Sequence, residues 1–401
     1  MKLALVADAF PPLRSSGAVQ LRDLSREFER QGHQLTVLIP ATDQAEPWKV
    51  ERDGNIDVIR LKSPKTKDVR YVRRTLSEFM MPFVMGRNFR KSPLGSRKFD
   101  GVIWYSPSIF LGPLVKRLRA DSNCPSYLII RDIFPEWAVD MGLMGRGLPY
   151  RMLKAVADFQ YSVADTIGVQ TPGNMALLYS TSSAMSGRIE VLHNWLTSNP
   201  DTGCSIQIDA TPLAGRKIFV YAGNMGIAQG MPILLDLAAE LEERKDIGFV
   251  FVGRGSDADR LRASAKARQL DNVLFFDEID PDEIAGLYAQ CHVGLVALDP
   301  RHQTHNIPGK FLSYLQSGLP VLATVNAGND LIDVIVDNRV GFVSTDNSAT
   351  ILAGLARGLA DESVGNPTVA ARSKKLARTM FSSEAAVNQI VKALKAPDLN
   401  N

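Results

Sequence analysis

Cysteine is scarce in this chain, and long apolar runs are missing. Its 401 residues include three cysteines, Cys124, Cys204 and Cys291. They are odd in number and widely spaced, with no CxxC pair and no Cys/His cluster. Neither a disulfide framework nor a structural zinc is expected, and the thiols read as reduced. No run of about 18 apolar residues occurs, so no transmembrane helix is expected. Met1–Phe10 is apolar, but it has only Lys2 as a basic flank and Asp8 interrupts it. It reads as a buried first strand, not as a signal peptide. A large charge of one sign is also lacking. The 46 basic and 43 acidic residues leave +3, too small an excess to argue for nucleic acid. There is no short internal repeat and no low-complexity tract.

What is present is an α/β chain long enough for two domains. About 45% of residues are hydrophobic and 22% charged, the profile of a globular protein. Strand and helix signals alternate, which predicts parallel sheets. Leu3–Val6 reads as a strand, Val19–Gln31 as a helix stopped by Gly32, and Leu35–Ile39 as the next strand. Further strands are expected at Ile56–Leu61, Gly101–Tyr105, Tyr127–Ile130, Thr166–Val169 and Ile189–Leu192. Helices are expected at Leu148–Ser162 and Asn174–Ser180. Leu196–Ala214 is polar, carries Pro200, Gly203 and Pro212, and has no period, as an interdomain linker would. A second alternating series starts at Lys217–Tyr221. It runs through strands Gly248–Val252, Val273–Phe276, Val293–Ala297 and Val321–Thr324. Its helices are Pro232–Glu243, Asp259–Gln269, Asp282–Gln290, Gly309–Ser317 and Ala349–Asp361, and Ser383–Lys395 closes the chain.

Ligands of open α/β sheets bind beyond the carboxyl ends of the strands, so the residues just after each strand matter most. Gly17 follows the first strand and lets backbone N–H groups approach a phosphate at a helix start; an ordinary turn glycine fits the sequence as well. Tyr221-Ala-Gly223-Asn224-Met-Gly226-Ile-Ala-Gln229-Gly230 is a glycine-spaced loop between strand and helix. It is suited to cradling a diphosphate, with Asn224 and Gln229 as neutral donors. In His305-Asn306-Ile-Pro308-Gly309-Lys310-Phe-Leu-Ser313, Pro308 begins a helix that Gly318-Leu-Pro320 ends. Free N–H groups and Lys310 at that start suit an anion, and Ser313, a turn later, suits a ribose hydroxyl. Arg131-Asp132-Ile-Phe-Pro135-Glu136-Trp137 follows a strand of the first domain. It offers an acid–base and orienting cluster, or else a surface Arg–Asp pair with Trp137 as a core anchor.

At these loops the sequence resembles the family 4 glycosyltransferases. The resemblance is carried by Asp8–Ile39, with Gly17 and Arg30-Gln-Gly32-His33, and by Val220 to Ser344. Val191-Leu-His-Asn194-Trp and Gly341-Phe-Val add to it. Within the family the chain is most similar to the bacterial O-antigen and capsule branch, which includes N-acetylfucosamine transferases. That similarity lies in Asp8-Ala-Phe-Pro-Pro, in Arg131 to Gly142, in Gly223 to Gly230 and in Pro308-Gly-Lys-Phe. The resemblance implies a GT-B fold, two Rossmann-like α/β domains whose parallel sheets face across a cleft. Residues 1–195 would bind the acceptor, 196–214 link, and 215–380 bind the donor. The helix at 383–395 would pack back onto the first domain. It also implies a nucleotide-sugar donor, UDP-linked, an N-acetylated hexosamine or deoxy derivative, and retention of configuration without a metal or other cofactor. The family's Arg and Lys of the glycine loop fall on Asn224 and Gln229. Its paired glutamates fall on His305 and Ser313, and its first-domain histidine on Arg131. Lys310 and helix N–H groups would then hold the diphosphate, and Asp132 or Glu136 would take the acceptor's proton. The expected donor residues are Gly17, Gly223, Asn224, Gly226, Gln229, Gly253, Asn306, Pro308, Gly309, Lys310 and Ser313.

Two rival signals stand beside this. Asp257-Ala-Asp259 and Asp280-Pro-Asp282 match the DxD metal–nucleotide pattern, but each sits at a helix start, where N-capping accounts for it. Gly253-Arg-Gly255-Ser-Asp-Ala258 matches a dinucleotide fingerprint and keeps an NAD-dependent oxidoreductase or epimerase open, although it lies in the second strand–helix unit of its domain. A non-catalytic nucleotide-sugar-binding homologue also fits the altered glutamates. Finally, Arg60–Lys98 holds twelve Lys or Arg against Asp68 and Glu78, around the apolar Phe79–Met85. Arg73, Arg74, Phe79, Phe83, Arg87 and Arg90 are expected to meet an anionic membrane surface and a lipid-linked acceptor, with no nucleic acid as partner. The expected location is cytoplasmic, on the inner face of the cytoplasmic membrane.

Overall fold

The computed structural model describes residues 1–13, 15–66, 70–182, 185, 187–197, 203–301 and 307–396. The chain forms two units, Met1–His193 with Ser383–Asn401, and Asn194–Ser382. Both are parallel-sheet α/β units, the fold class the sequence predicts.

The first unit has an eight-stranded sheet. Its strands are β1 (Lys2–Val6), β2 (Gln34–Ala41), β3 (Trp48–Asp53), β4 (Ile56–Lys62), β5 (Gly101–Ser106), β6 (Ser126–Ile130), β7 (Thr166–Val169) and β8 (Arg188–Val191). They are ordered β3-β4-β2-β1-β5-β6-β7-β8, and β3 alone runs antiparallel to its neighbour. Leu3 to Ala7 are fully buried, as expected of a central strand covered on both faces. The edge strand β3, Trp-Lys-Val-Glu-Arg-Asp, is mostly exposed. Its charges protect an open edge and hide it from an apolar-run reading.

The helix Tyr71–Lys91 was not expected as a helix, because Pro82 stands inside it and removes a backbone donor. Met81, Met85 and Phe89 nevertheless lie in the core with Leu114, Val115 and Leu118 of the helix Gly112–Ser122. The helix Ser383–Lys395 belongs to this unit. It buries Ala386, Val387, Ile390 and Leu394, and Gln389 Nε2 donates to Glu190 Oε1 at 2.9 Å and to the Val191 carbonyl at 2.8 Å. A Cβ at Gly101 would lie 2.9 Å from Leu394 Cδ1, so this glycine lets the helix sit close to the sheet.

The second unit has a six-stranded parallel sheet. Its strands are β9 (Lys217–Ala222), β10 (Ile247–Val252), β11 (Val273–Phe276), β12 (Val293–Ala297), β13 (Val321–Thr324) and β14 (Gly341–Ser344), in the order β11-β10-β9-β12-β13-β14. The described part of the expected linker is folded into this unit. Ile206, Ile208 and Leu213 are core residues there, isolated apolar anchors in a polar stretch with no period; residues 198–202 lie outside the described residues. Strand order reverses beside β9, between β10 and β12, and such a switch point opens a crevice at the strand ends.

Candidate functional site

The loop after β9 lies at that switch point. Gly223 has φ 138°, open to glycine and strained for other residues. Its N–H donates to the Val252 carbonyl at 2.9 Å, and Met225 N–H donates to the Arg254 carbonyl at 2.8 Å. The loop is thus tied to the one after β10. The Gln229 side chain turns inward, its Oε1 accepting from Gly226 N–H at 3.1 Å and from Asn224 Nδ2 at 3.2 Å. The N–H of Gly226, expected to face a phosphate, is used within the loop. The N–H groups of Asn224, Ile227 and Ala228 have no partner among the described residues. They are the donors this turn offers an anion.

Lys310 faces the same loop. It stands in the first turn of the helix Gly309–Ser317, whose N-cap Pro308 supplies no side-chain cap and whose C-cap Gly318 has φ 80°. The Lys310 ammonium lies 4.6 Å from the centre of the Tyr221 ring, within cation–π range. A Cβ at Gly223 would be 3.5 Å from Lys310 Cε. Lys310 is half-buried as a residue, but its ammonium is desolvated enough that burial alone pulls its pKa down to about 8. Ser313 Oγ donates back to the Gly309 carbonyl at 3.4 Å, so its expected contact with a ribose needs a rotamer change. Two residues not singled out for this site position it. Tyr314 OH lies 3.1 Å from both the Val220 and Leu295 carbonyls, locking the helix to the sheet. Asn194 Nδ2 donates to the Ile307 carbonyl at 3.0 Å, just before the helix. Asn306 and His305 lie outside the described residues.

In the first unit the strand ends gather a different set. Arg131, 4% exposed, follows β6. Tyr105, at the end of β5, feels Arg131, Asp132 and Asp8, and burial pushes its pKa up to about 12. Its hydroxyl donates to Gln20 Oε1 at 3.0 Å. A Cβ at Gly17 would lie 3.4 Å from that ring, so Gly17 sits against Tyr105 in the first unit, near the start of the helix Ser16–Arg30. Asp132 is half-buried beside Arg131. Glu136 is 5% exposed, with Oε1 3.4 Å from the Lys154 ammonium and 3.5 Å from Tyr150 OH. Of the two carboxylates expected to take the acceptor's proton, Glu136 thus pairs with Lys154. Tyr105, Gln20 and Asp8 were not named for a role in the sequence; a strand-end tyrosine gives no signal apart from position.

The expected membrane residues lie on the helix Tyr71–Lys91. Arg73, Arg74, Phe79, Phe83, Arg87 and Arg90 are all exposed. Phe79 and Phe83 lie one turn apart with ring centres 6.1 Å apart, and Arg74 pairs with Glu78 at 2.9 Å. Lys67 and Asp68 lie outside the described residues.

The rival signals resolve structurally. A Cβ at Gly253 would lie 2.1 Å from the Gly223 carbonyl oxygen, and one at Gly255 2.3 Å from that of Met225. The glycine pair that resembles a dinucleotide fingerprint is required by loop-on-loop packing, and Gly253, expected to touch the donor, supports the β9 loop. Asp280 accepts from Asp282 N–H at 3.1 Å as a cap. Asp257 is an N-cap by position but makes no capping bond; it pairs with Arg260 at 2.7 Å.

Residues 216–361 match the family model described as Glycosyl transferases group 1. The chain is 24% identical over 341 residues to WbjE of Pseudomonas aeruginosa, described as a probable glycosyltransferase, covering 82% of each chain. It is 25% identical over 251 residues to WcaI of Escherichia coli strain K12, assigned as a colanic acid biosynthesis glycosyl transferase, covering 58% of this chain and 59% of that one. By fold it is similar to WaaG, a glycosyltransferase involved in lipopolysaccharide biosynthesis, at TM-score 0.66 and 15% identity over 98% of this chain and 100% of that one. It is similar too to Anabaena Alr3699/HepE in complex with UDP and glucose, at TM-score 0.69 and 14% identity over 98% and 99%. The fold is that of the GT-B glycosyltransferases. The residues matched by the group 1 glycosyltransferase model all lie in the second unit.

Proposed function

We propose that this protein moves a sugar, an N-acetylated hexosamine or deoxy derivative, from a UDP-linked donor held by the second unit to a lipid-linked saccharide in surface polysaccharide synthesis. The observation that carries this reading is Lys310: a desolvated ammonium over Tyr221, beside a turn with unused N–H groups. Such a cation gains most from an anion that replaces its lost hydration. A departing diphosphate is that anion. The bond between the sugar's anomeric carbon and the diphosphate oxygen breaks, and the electron pair leaves with the diphosphate. The acceptor hydroxyl oxygen bonds to the anomeric carbon and its proton passes to Asp132. Lys310 and the N–H groups of Asn224, Ile227, Ala228, Gly309 and Lys310 stabilise the developing charge. The chemistry proceeds with retention and without a metal. UDP bound to HepE supports the choice of base, and the polysaccharide roles of WcaI and WaaG support the acceptor class. The reading puts the reaction at the inner face of the cytoplasmic membrane, and the exposed basic and apolar face of the helix Tyr71–Lys91 supports that location.

The test is Lys310→Ala. Turnover should fall roughly 100-fold or more, the scale of losing one preorganised donor to a leaving group, while the circular dichroism spectrum stays native-like. Unchanged turnover removes Lys310 from the site and takes away the main support for the reading.

A further inference from the structure

The helices on one face of the first unit do not end level with one another. The helix Tyr71–Lys91 crosses Gly112–Ser122 near Gly86, where a Cβ would lie 3.4 Å from Leu114 Cδ1. On the other side, a Cβ at Gly112 would lie 3.2 Å from Gln160 Cα of the helix Leu148–Val163. Both outer helices follow strands that end at the same edge of the sheet, β4 and β6, and both run back toward strand starts. Their N-terminal portions therefore extend past the beginning of the middle helix. At 1.5 Å per residue, Tyr71 to Gly86 is about 22 Å and Leu148 to Gln160 about 18 Å.

Burial agrees with this geometry. Neither Arg73–Met80 nor Leu148–Val156 contains a buried residue, and burial begins at Met81 and Ala157. The second projection has large apolar side chains at its tip: Leu143 is 65% exposed, Leu148 71% and Met152 60%. Leu153 and Val156 turn one side of the second helix to the core, which leaves these exposed side chains on its outer side, and exposed apolar patches of this kind mark contact surfaces. The charge around them has one sign. Residues 142–157 hold Arg146, Arg151 and Lys154 and no carboxylate. Lys154 is used by Glu136 and Asp158, while Arg146 and Arg151 are exposed.

We propose that Leu143, Leu148 and Met152, with Arg146 and Arg151, form a second membrane-binding prong. Together with the helix Tyr71–Lys91 it straddles the carboxyl end of β5, the strand that carries Tyr105. The occupant is an anionic phospholipid surface: apolar tips enter the acyl boundary and the two arginines meet headgroup phosphates. A lipid-linked substrate drawn from that surface enters between the two prongs. This inference rests on the membrane-bound reading of the protein and adds an element to it.

The test is cosedimentation of the full chain with vesicles of phosphatidylcholine alone and of phosphatidylcholine with phosphatidylglycerol. Four proteins are compared: wild type, Leu148→Ser/Met152→Ser, Phe79→Ser/Phe83→Ser, and Ile351→Ser as a control for an exposed apolar residue in the second unit. The wild type should prefer the anionic vesicles. Each double variant should lower the bound fraction constant about tenfold at unchanged thermal stability, and the control should bind like wild type. If wild type binds neither vesicle, the membrane reading itself fails. If wild type binds and only Phe79→Ser/Phe83→Ser is impaired, the second prong is wrong and the membrane reading stands. Equal binding to both vesicles overturns the assignment of anionic lipid.

Discussion

An ammonium seated like that of Lys310 titrates close to neutral pH, with its pKa down at about 8 through burial. In the unfolded chain it would titrate near 10.4. Between these values the unfolded state binds more protons, so stability rises with pH through that window, and below pH 8 the full burden of the buried charge is present. Lys310→Met should therefore raise the melting temperature of the donor-free protein at pH 7, with the gain fading as pH approaches 10. Donor binding should run the other way: UDP affinity, measured by calorimetry, should fall as pH rises through about 8. No such fall in wild type would place the ammonium away from the diphosphate. Gly253→Ala tests the supporting loop. With φ 136° and the Gly223 carbonyl in the way, it should lose roughly 2–3 kcal/mol in urea unfolding. At this scale the sequence showed Lys310 and the glycine loop, because both sit at fixed offsets from strong strand signals. It did not show Tyr221 beneath the lysine or Gln229 filling Gly226, since those depend on how a strand and a distant helix come together. The pairing of Glu136 with Lys154 was hidden for the same reason.

Among the elements, those with continuous apolar runs were legible almost to the residue. Thr166–Val169, Val273–Phe276, Val293–Ala297, Gly309–Ser317, Val321–Thr324 and Ser383–Lys395 all fold over the expected spans. The helix Tyr71–Lys91 and the strand β3 escaped, one because a proline interrupts it and the other because a charged edge lacks apolar alternation. The helix Pro367–Met380 carries four Lys or Arg and escaped too. The closing helix allows a test of its own. Ile390 is fully buried on the first unit, and Ile390→Ala should lower stability by roughly 2–4 kcal/mol, read as an earlier unfolding transition. A change below 0.5 kcal/mol would mean that the helix is only loosely held.

For the molecule as a whole, a donor that binds only the folded state should stabilise it. UDP at about 100 times its dissociation constant should add about 2.7 kcal/mol, unchanged by EDTA, with NAD giving no shift. A shift with NAD instead would return the Gly253 loop to a ligand-binding role. Two parallel sheets and two units could be read from the alternation of strands and helices. The boundary between the units was blurred by Ile206, Ile208 and Leu213, which anchor the expected linker in a core. The return of Ser383–Lys395 to the first unit also bears on how the protein is made. Translation runs from the N-terminus, so the second unit has all its residues once Ser382 has emerged, while the first still lacks its last helix. The half encoded first is finished last. Until then the sheet around Leu3 and Gly101 is uncovered, and the growing chain presents that apolar face to chaperones for most of its synthesis.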